Sequence, residues 1–502
     1  MMSIVRFLER GRAGVALVVW LGSVAPLVAQ PTLLPEGWSS GVALVEPTDL
    51  NPDPHILEIN VTARVAEVEL GDTRVEAWTY DGLLPGPFIR LQVGDRLIVH
   101  LKNELPQSTT IHWHGVRVPF EMDGVPDITQ PPVEPGGTFV YDFIVPDAGL
   151  FWYHPHVMSA AQVGFGLYGA LLVEDPAERA LTGVGDELVL VLSDIGVGVD
   201  GHLEPPDSGG NAGSVFGREG NLVLLNGRIR PHISVRAGVP QRWRIVNTAK
   251  SRYFTLYLDR LPFTVIGTDG GFQEHSVTSE VVVISPGERF DVIVTPNGER
   301  GSELVLRSLL YNRGYGSVEY RAVETLVTLD ITGEPPYEAP ALPEVARAIA
   351  PLDVTGVKLV DIDLTLERTG QESWEFGLNG IPFSEATPYL AMLGETQLWN
   401  MRNMTEWAHP MHLHGFFFQV VDENNAPVHP IAWKDTVNVP MNGNVRVAVH
   451  FDENRPGEWM YHCHILDHAE IGMMGTVLVG DEKSTEDGGG GASDDRQTPP
   501  RQ

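Results

Sequence analysis

One cysteine, Cys463, stands in a chain of 502 residues. That excludes a disulfide within the chain, so its stability has to come from packed cores and from what it binds. Lysine is almost as scarce, with five residues at positions 102, 250, 358, 434 and 483. Against 66 acidic side chains, the 34 lysines and arginines leave a formal charge of −32. A surface this acidic disfavours nucleic acid and anionic membranes as partners. It would draw cationic substrates or metal ions, or else simply reflect a salty habitat; the neutral explanation is preferred. The end of the chain, 481–502, holds six acids against three basic residues and the run Gly488–Gly491, so it reads as a disordered acidic tail. Most of the charge lies elsewhere.

Long helical patterns are also few. In their place are 53 glycines, 38 prolines and many short alternating runs such as Leu97-Ile98-Val99-His100-Leu101, which point to an all-β chain of sandwiches. A length of this order suggests about three domains, and a repeat agrees. A turn, then a Gly, then an Asn nine residues later occurs three times: Asp81-Gly82 with Gly94 and Asn103, Asn226-Gly227 with Gly238 and Asn247, Asn379-Gly380 with Gly394 and Asn403. We place the units at 42–180, 186–335 and 350–480. The linker Thr332–Ala350 carries Pro335, Pro336, Pro340 and Pro343. At the other end, Arg6, Arg10 and Arg12 precede the apolar run Ala13–Ala29. We read 1–29 as a secretory signal peptide, with an uncleaved anchor as the alternative. No paired arginines precede the run, so a twin-arginine route is not supported.

The informative residues surround the lone cysteine. Cys463 has an imidazole five residues on, His468, and a thioether ten residues on, Met473. Thiolate, imidazole and weak thioether make the ligand set of a blue-copper electron-transfer site. In an extended segment neighbouring side chains face opposite ways. His462 and His464 therefore turn away from a metal on Cys463 and are free to hold others. Three further groups match that need: His112-Trp113-His114, His154-Pro155-His156 and His409-Pro410-Met411-His412-Leu413-His414. One His-X-His pair is easily a polar strand face; four such groups, with the cysteine inside the last, are not. The seven isolated histidines, at 55, 100, 202, 232, 275, 429 and 450, are assigned no function.

The repeat brings the groups into relation. Nine and eleven residues past the three asparagines stand His112 and His114, Leu256 and Leu258, His412 and His414. Gly149 precedes His154 by five residues, as Gly457 precedes His462, so His154-Pro155-His156 aligns with His462-Cys463-His464. The outer units thus offer four histidines each from equivalent places. A metal cluster straddling them about an approximate two-fold axis is the simplest arrangement, with the middle unit as spacer.

On these four groups the chain resembles the multicopper oxidases, the laccase family, over nearly all of its mature length. The resemblance implies three tandem cupredoxin-like Greek-key β-sandwich domains and four copper ions. By motif position the type 1 copper takes His409, Cys463 and His468, with Met473 axial. The type 2 copper takes His112 and His412. The type 3 pair takes His114, His154, His156, His414, His462 and His464. The implied activity is one-electron oxidation of phenols or aromatic amines coupled to reduction of dioxygen to water, and an axial methionine lowers the type 1 potential in favour of such electron-rich substrates. Cys463, His462 and His464 link the two sites, and His468 is expected nearest solvent. Asp123, nine residues after His114, matches a proton-relay carboxylate of bacterial relatives; the bland alternative is a turn-capping Asp before Gly124. Those relatives often place a second acid directly after the last type 1 histidine, where this chain has Ala469. Glu470, one position later, is the candidate substitute.

Two readings of the reductant remain. Cuprous oxidases add methionine-rich insertions and place Asp and Met before the first type 1 histidine. Here the 12 methionines are scattered and Thr405-Glu406-Trp407-Ala408 precedes His409. A laccase-like organic oxidase is therefore preferred, with a metal oxidase acting on Cu(I), Mn(II) or Fe(II) as the alternative. A redox-silent relative would not need all these ligands, and a copper store would not need a linked oxygen site. The expected partners are dioxygen and a small reductant, with no nucleic acid. The expected state is a monomer, periplasmic or secreted.

Overall fold

Alternating polarity is converted directly into strands. Arg96–Asn103 buries Leu97, Val99, Leu101 and Asn103 and leaves Arg96 and Lys102 exposed, because side chains two apart share a face of the sheet. The structure is a computed structural model that describes residues 34, 36–184, 186–314, 322–332, 347–370 and 373–481, all within a compact unit of residues 32–502. The signal-like segment 1–29, the four linker prolines and the tail after 481 lie outside the described residues.

The described residues hold six sheets. Strands between 56 and 174 form two four-stranded sheets. Val61, Leu97, Val99 and Tyr141 from one meet Trp113, Phe151, Tyr153 and Leu171 from the other. Strands between 187 and 331 form a six-stranded and a five-stranded sheet around Trp243, Phe254, Leu256 and Leu258. Strands between 358 and 480 form two five-stranded sheets whose core contains Trp399, Tyr461, Cys463 and Met473. In each lobe the first strand pairs in parallel with the strand that ends in the repeat asparagine: Ile56–Leu70 with Arg96–Asn103, Glu187–Ile195 with Gln241–Asn247, Lys358–Arg368 with Thr396–Asn403. The chain is all-β, in three cupredoxin-like sandwiches, as expected.

The repeat has a physical cause at each residue type. The turn pairs are left-handed at both positions, with φ of 56° and 80° at Asp81-Gly82, 51° and 73° at Asn226-Gly227, and 56° and 74° at Asn379-Gly380. Asx-Gly is the sequence that tolerates such a hairpin turn. The Asx Oδ1 also accepts a strand N–H, from Thr62, Val191 and Asp363 respectively.

The asparagines clamp the loop that follows. Each Oδ1 accepts the N–H two residues on, from Leu105 at 2.9 Å, Ala249 at 3.0 Å and Thr405 at 2.9 Å. Each Nδ2 donates to a nearby carbonyl, of Gln107, Arg252 or Trp407. It also donates to one 30 to 37 residues further along, of Val133, Ile284 or Val439. In the outer lobes the clamped loop delivers a His-X-His strand. In the middle lobe Leu256 and Leu258 fill the core instead.

Asn247→Ala leaves the buried Ala249 N–H and Ile284 carbonyl and the half-buried Arg252 carbonyl without their partner. The expected cost is about 2–4 kcal/mol, from roughly 1–3 kcal/mol per desolvated unpaired group. The urea midpoint of the purified protein should fall while its metal content stays the same. An unshifted midpoint would show that the clamp contributes nothing.

Candidate metal centre

Two short strands in each outer lobe carry the histidines. His112–His114 pairs antiparallel with Gly149–His154, setting His112 opposite His154. His409–Leu413 pairs with Gly457–Cys463, setting His412 opposite His462 and Met411 opposite Cys463. The correspondence expected from spacing is thus reproduced as the same cross-strand partnership in both lobes. The lobes meet ring on ring: His112 stacks on His414 at 3.8 Å between centroids, and His114 on His412 at 3.7 Å. An axis relating the lobes exchanges these two stacks.

Five groups of facing donor atoms result, each with its atoms within 4.8 Å of one another: His112 with His114 and His412; His114 with His154 and His464; His156 with His414 and His462; His409 with Cys463 and His468; and His112 and His414 with the Asp123 carboxylate. The alternation expected at 462–464 is present. Cys463 joins His409 and His468, while its two neighbours join histidines of the first lobe.

Around the cysteine, Sγ lies 3.5 Å from His409 Nδ1 and 3.7 Å from His468 Nδ1, and those nitrogens are 3.1 Å apart. The opposite ring nitrogens are occupied. His409 Nε2 lies 2.7 Å from Thr405 Oγ1, and the hydroxyl donates onward to Asn403 Oδ1. His468 Nε2–H donates to Val215 O at 3.0 Å. Bonds of this kind fix the tautomer and leave Nδ1 bare toward the sulfur. Burial pushes the Cys463 thiol well above its ordinary range and takes His409 down to about 3 and His468 lower than its usual value. A buried thiol beside two neutral imidazoles suits a metal that displaces the thiol proton. Met473 is fully buried; its carbonyl accepts from Cys463 N and its N–H donates to His468 O, both at 3.0 Å.

The remaining groups show the same signature. His112, His154 and His412 donate Nδ1–H to the carbonyls of Asp123, Pro155 and Asp435. Their Nε2 atoms are buried without a partner, as are Nε2 of His156, Nδ1 of His114 and both ring nitrogens of His464. An unpaired buried acceptor costs roughly 1–3 kcal/mol, and several aimed at one another make sense only around a bound cation. Burial, followed by the other imidazoles, holds most of these rings far below their ordinary titration range; His462 falls to about 3. The donor set fits copper: neutral imidazoles, one thiolate, and a second sphere that orients them.

The candidate acids fare differently. Asp123 is 1% exposed, and its Oδ2 accepts from His414 Nδ1 at 2.8 Å across the lobe junction. Burial alone would raise its carboxyl; His414 and His112 instead hold it below the usual carboxylate range. Glu470 lies at the surface end of the helix Leu466–Glu470, where its Oε1 accepts Ala160 N–H at 2.7 Å. It caps the helix Ser159–Gly164, which follows His156, and bonds none of the ten clustered histidines. His468 and His409 are both fully buried, and the helix Gly210–Phe216 of the second lobe approaches His468 through the Val215 carbonyl.

Several partners escaped sequence reasoning. Asp435 bonds His412 and sits 3.3 Å from His114 Nε2. Arg289, from the middle lobe, holds Asp435. Thr405 was within reach of the repeat: at the position two past the asparagine, the other copies have Leu105 and Ala249, and this copy alone has a hydroxyl. Five of the isolated histidines make ordinary acid pairs, such as His100 with Glu58 and His232 with Asp330.

Three family profiles, each described as multicopper oxidase, match residues 62–178, 189–308 and 358–483. The chain is 29% identical to multicopper oxidase MmcO of Mycobacterium tuberculosis, over 93% of this chain and 96% of that one. It is 26% identical to a laccase of Bacillus subtilis, over 82% and 91%. Among solved structures, a multicopper oxidase from Campylobacter jejuni described as a metallo-oxidase superposes with a TM-score of 0.77 at 29% identity, covering 88% of this chain and 94% of that one. A multi-copper oxidase from Pseudomonas thermotolerans gives 0.72 at 31%, covering 84% and 99%.

Proposed function

The chain belongs to the multicopper oxidase family, and on that premise we propose how its copper is held and what it oxidises. It is a copper-dependent oxidoreductase with dioxygen as acceptor. We assign His409, Cys463, His468 and Met473 as the residues that would hold type 1 copper, and His112 and His412 as those that would hold type 2. His114, His154 and His464 hold one type 3 ion; His156, His414 and His462 hold the other. The observation that carries this is the set of groups of facing donor atoms, several of whose buried nitrogens have no hydrogen-bond partner. We take the sandwich units as 42–180, 186–335 and 350–480. Because one chain supplies both halves of the cluster, a monomer suffices. The pattern at 1–29 supports export to the periplasm or beyond.

Copper in these positions supplies one-electron oxidation at one site and reduction of dioxygen to water at the other. The chain's own contribution is placement. Cys463 is covalently flanked by His462 and His464, so a single stretch of backbone joins the two sites. Pairing of that stretch with His409–Leu413 and with Met474–Gly480 on its other side keeps it extended. Asp123, whose Oδ2 accepts from His414 Nδ1 and whose Oδ1 lies 3.3 Å from His112 Nδ1, is the carboxylate suited to pass protons along beside the cluster. Glu470 is better suited to positioning the His156 segment. Asp123→Asn should slow dioxygen reduction about tenfold or more, in the range of lost outer-sphere partners, with the blue absorption intact. Unchanged turnover would remove Asp123 from the mechanism.

The reductant we favour is a phenol or aromatic amine. Beside His468 lies a pocket of about 520 Å³ lined by Asn211, Ala212, Val215, Phe216, Leu366, Trp374 and Trp407. Three of these residues are aromatic and none of the described lining residues is a carboxylate, and Val215 itself accepts the His468 N–H. A size of a few hundred Å³ suits a small aromatic molecule. Glu406, the acid nearest in sequence to His409, is not among the lining residues. The metal reading draws on the Campylobacter jejuni structure described as a metallo-oxidase and on 25% identity to copper resistance protein A of Escherichia coli. Trp374→Ala should raise KM for a dimethoxyphenol by about threefold to tenfold, the worth of one aromatic contact, and leave oxidation of Cu(I) or Fe(II) at fixed free copper unaffected. Faster turnover of the metal ions than of the phenol by the wild-type enzyme would reverse the preference.

A further inference from the structure

The two carboxylates at the cluster occupy equivalent places. The Asp123 carbonyl accepts from His112 Nδ1 at 2.8 Å, and the Asp435 carbonyl from His412 Nδ1 at 2.9 Å. Each side chain then crosses to the other lobe, Asp123 Oδ2 to His414 Nδ1 at 2.8 Å and Asp435 Oδ1 to His114 Nε2 at 3.3 Å. The same axis that exchanges the ring stacks exchanges the acids. Sequence hides this, because Asp123 follows its histidine by 11 residues and Asp435 follows its own by 23.

Their surroundings break the symmetry. Asp123 meets no Lys or Arg among the described residues. Asp435 is gripped by Arg289 through both oxygens, Nη1 to Oδ1 at 2.7 Å and Nη2 to Oδ2 at 2.5 Å. Arg289 is 1% exposed and spends its other hydrogen bonds on the carbonyls of Leu150, Gly287 and Asp269, so its planar fork has one available orientation. Gly115, directly after His114, makes the approach possible. A Cβ there would lie 2.3 Å from Arg289 Nη2 and 2.7 Å from Asp435 Oδ2.

Among the clustered histidines outside the His409, Cys463 and His468 group, His114 alone has its Nε2 against a carboxylate. His112, His154 and His412 give up Nδ1–H and keep Nε2 bare, whereas His114 has Nδ1 bare and Nε2 against Asp435. Asp435 Oδ1 and the Thr436 hydroxyl, itself bonded to Asp435, both lie against Nε2, at 3.3 and 3.4 Å, so Nδ1 is the nitrogen of His114 left to face the cluster.

We propose that Arg289, from the lobe that supplies no copper ligand, is a positioning residue that acts through Asp435 to fix which nitrogen of His114 faces the cluster. The middle lobe is then part of the oxygen-side centre rather than a spacer. This rests on the ligand assignment proposed above.

The test uses the copper-loaded full chain as wild type, Arg289→Gln and Asp435→Asn. Copper per chain, the blue absorption, the type 2 paramagnetic resonance spectrum and the rate of copper loss to EDTA are read on each. Both variants should keep the blue band, show an altered type 2 spectrum, and lose the remaining copper about tenfold to a hundredfold faster, the range for removal of an outer-sphere partner. Wild-type spectra and wild-type rates in both variants would overturn the role. If Arg289→Gln does not fold, Arg289→Lys keeps the charge without the two-pronged grip. Fast copper loss from a blue Arg289→Lys protein supports the proposal, and slow loss overturns it. A wild-type protein that is itself colourless refutes the ligand assignment instead.

Discussion

Neighbouring side chains of an extended chain face opposite ways, and at His462-Cys463-His464 that simple alternation holds the whole centre together. One face of the strand puts a thiol against His409 and His468; the other puts two imidazoles among the histidines of the first lobe. A one-residue slip in the pairing of Gly457–Cys463 with its neighbours would send every one of these groups to the wrong side. The register is accordingly held on both edges, by His409–Leu413 and by Met474–Gly480. The fold around it, down to the asparagine clamps that launch each His-X-His strand, serves to keep this one segment straight and in register.

The second constraint is the meeting of two lobes related by an approximate two-fold axis. Imidazoles stack in exchanged pairs, and carboxylates cross from each lobe to the other. Such a junction brings together many buried groups that repel charge, which is why the rings are driven toward their neutral forms and their bare nitrogens left facing inward. The arrangement is poor as a hydrogen-bonded core and good as a metal site. The symmetry stops at the environment of the two acids, where the middle lobe contributes Arg289 to one side only.

Much of this was legible in sequence because it is local. The ligand groups are spaced by one, four or five residues along single strands or tight loops, so their offsets survive as motifs, and the Asx-Gly turns and repeat asparagines mark equivalent strands. Asp123 was found because it lies a short, fixed distance past His114. Asp435 occupies the equivalent place and was missed, since the stretch between it and His412 contains an extra strand, Phe418–Val421, that lengthens the offset. Arg289 and Val215 were out of reach for another reason. Both come from the middle lobe, whose His-X-His position reads Leu-Tyr-Leu and carries no sign of contact with metal. The approach of that lobe to His468 was likewise invisible.

The central claim is that one thiolate site and one oxygen-side cluster, joined through Cys463, are both filled in the active protein. Copper analysis of the purified chain together with its visible spectrum tests this most directly. The account predicts an intense blue band and four copper ions per chain, divided as one type 1, one type 2 and two type 3. A colourless protein, or a fully loaded one holding fewer than four, would contradict it.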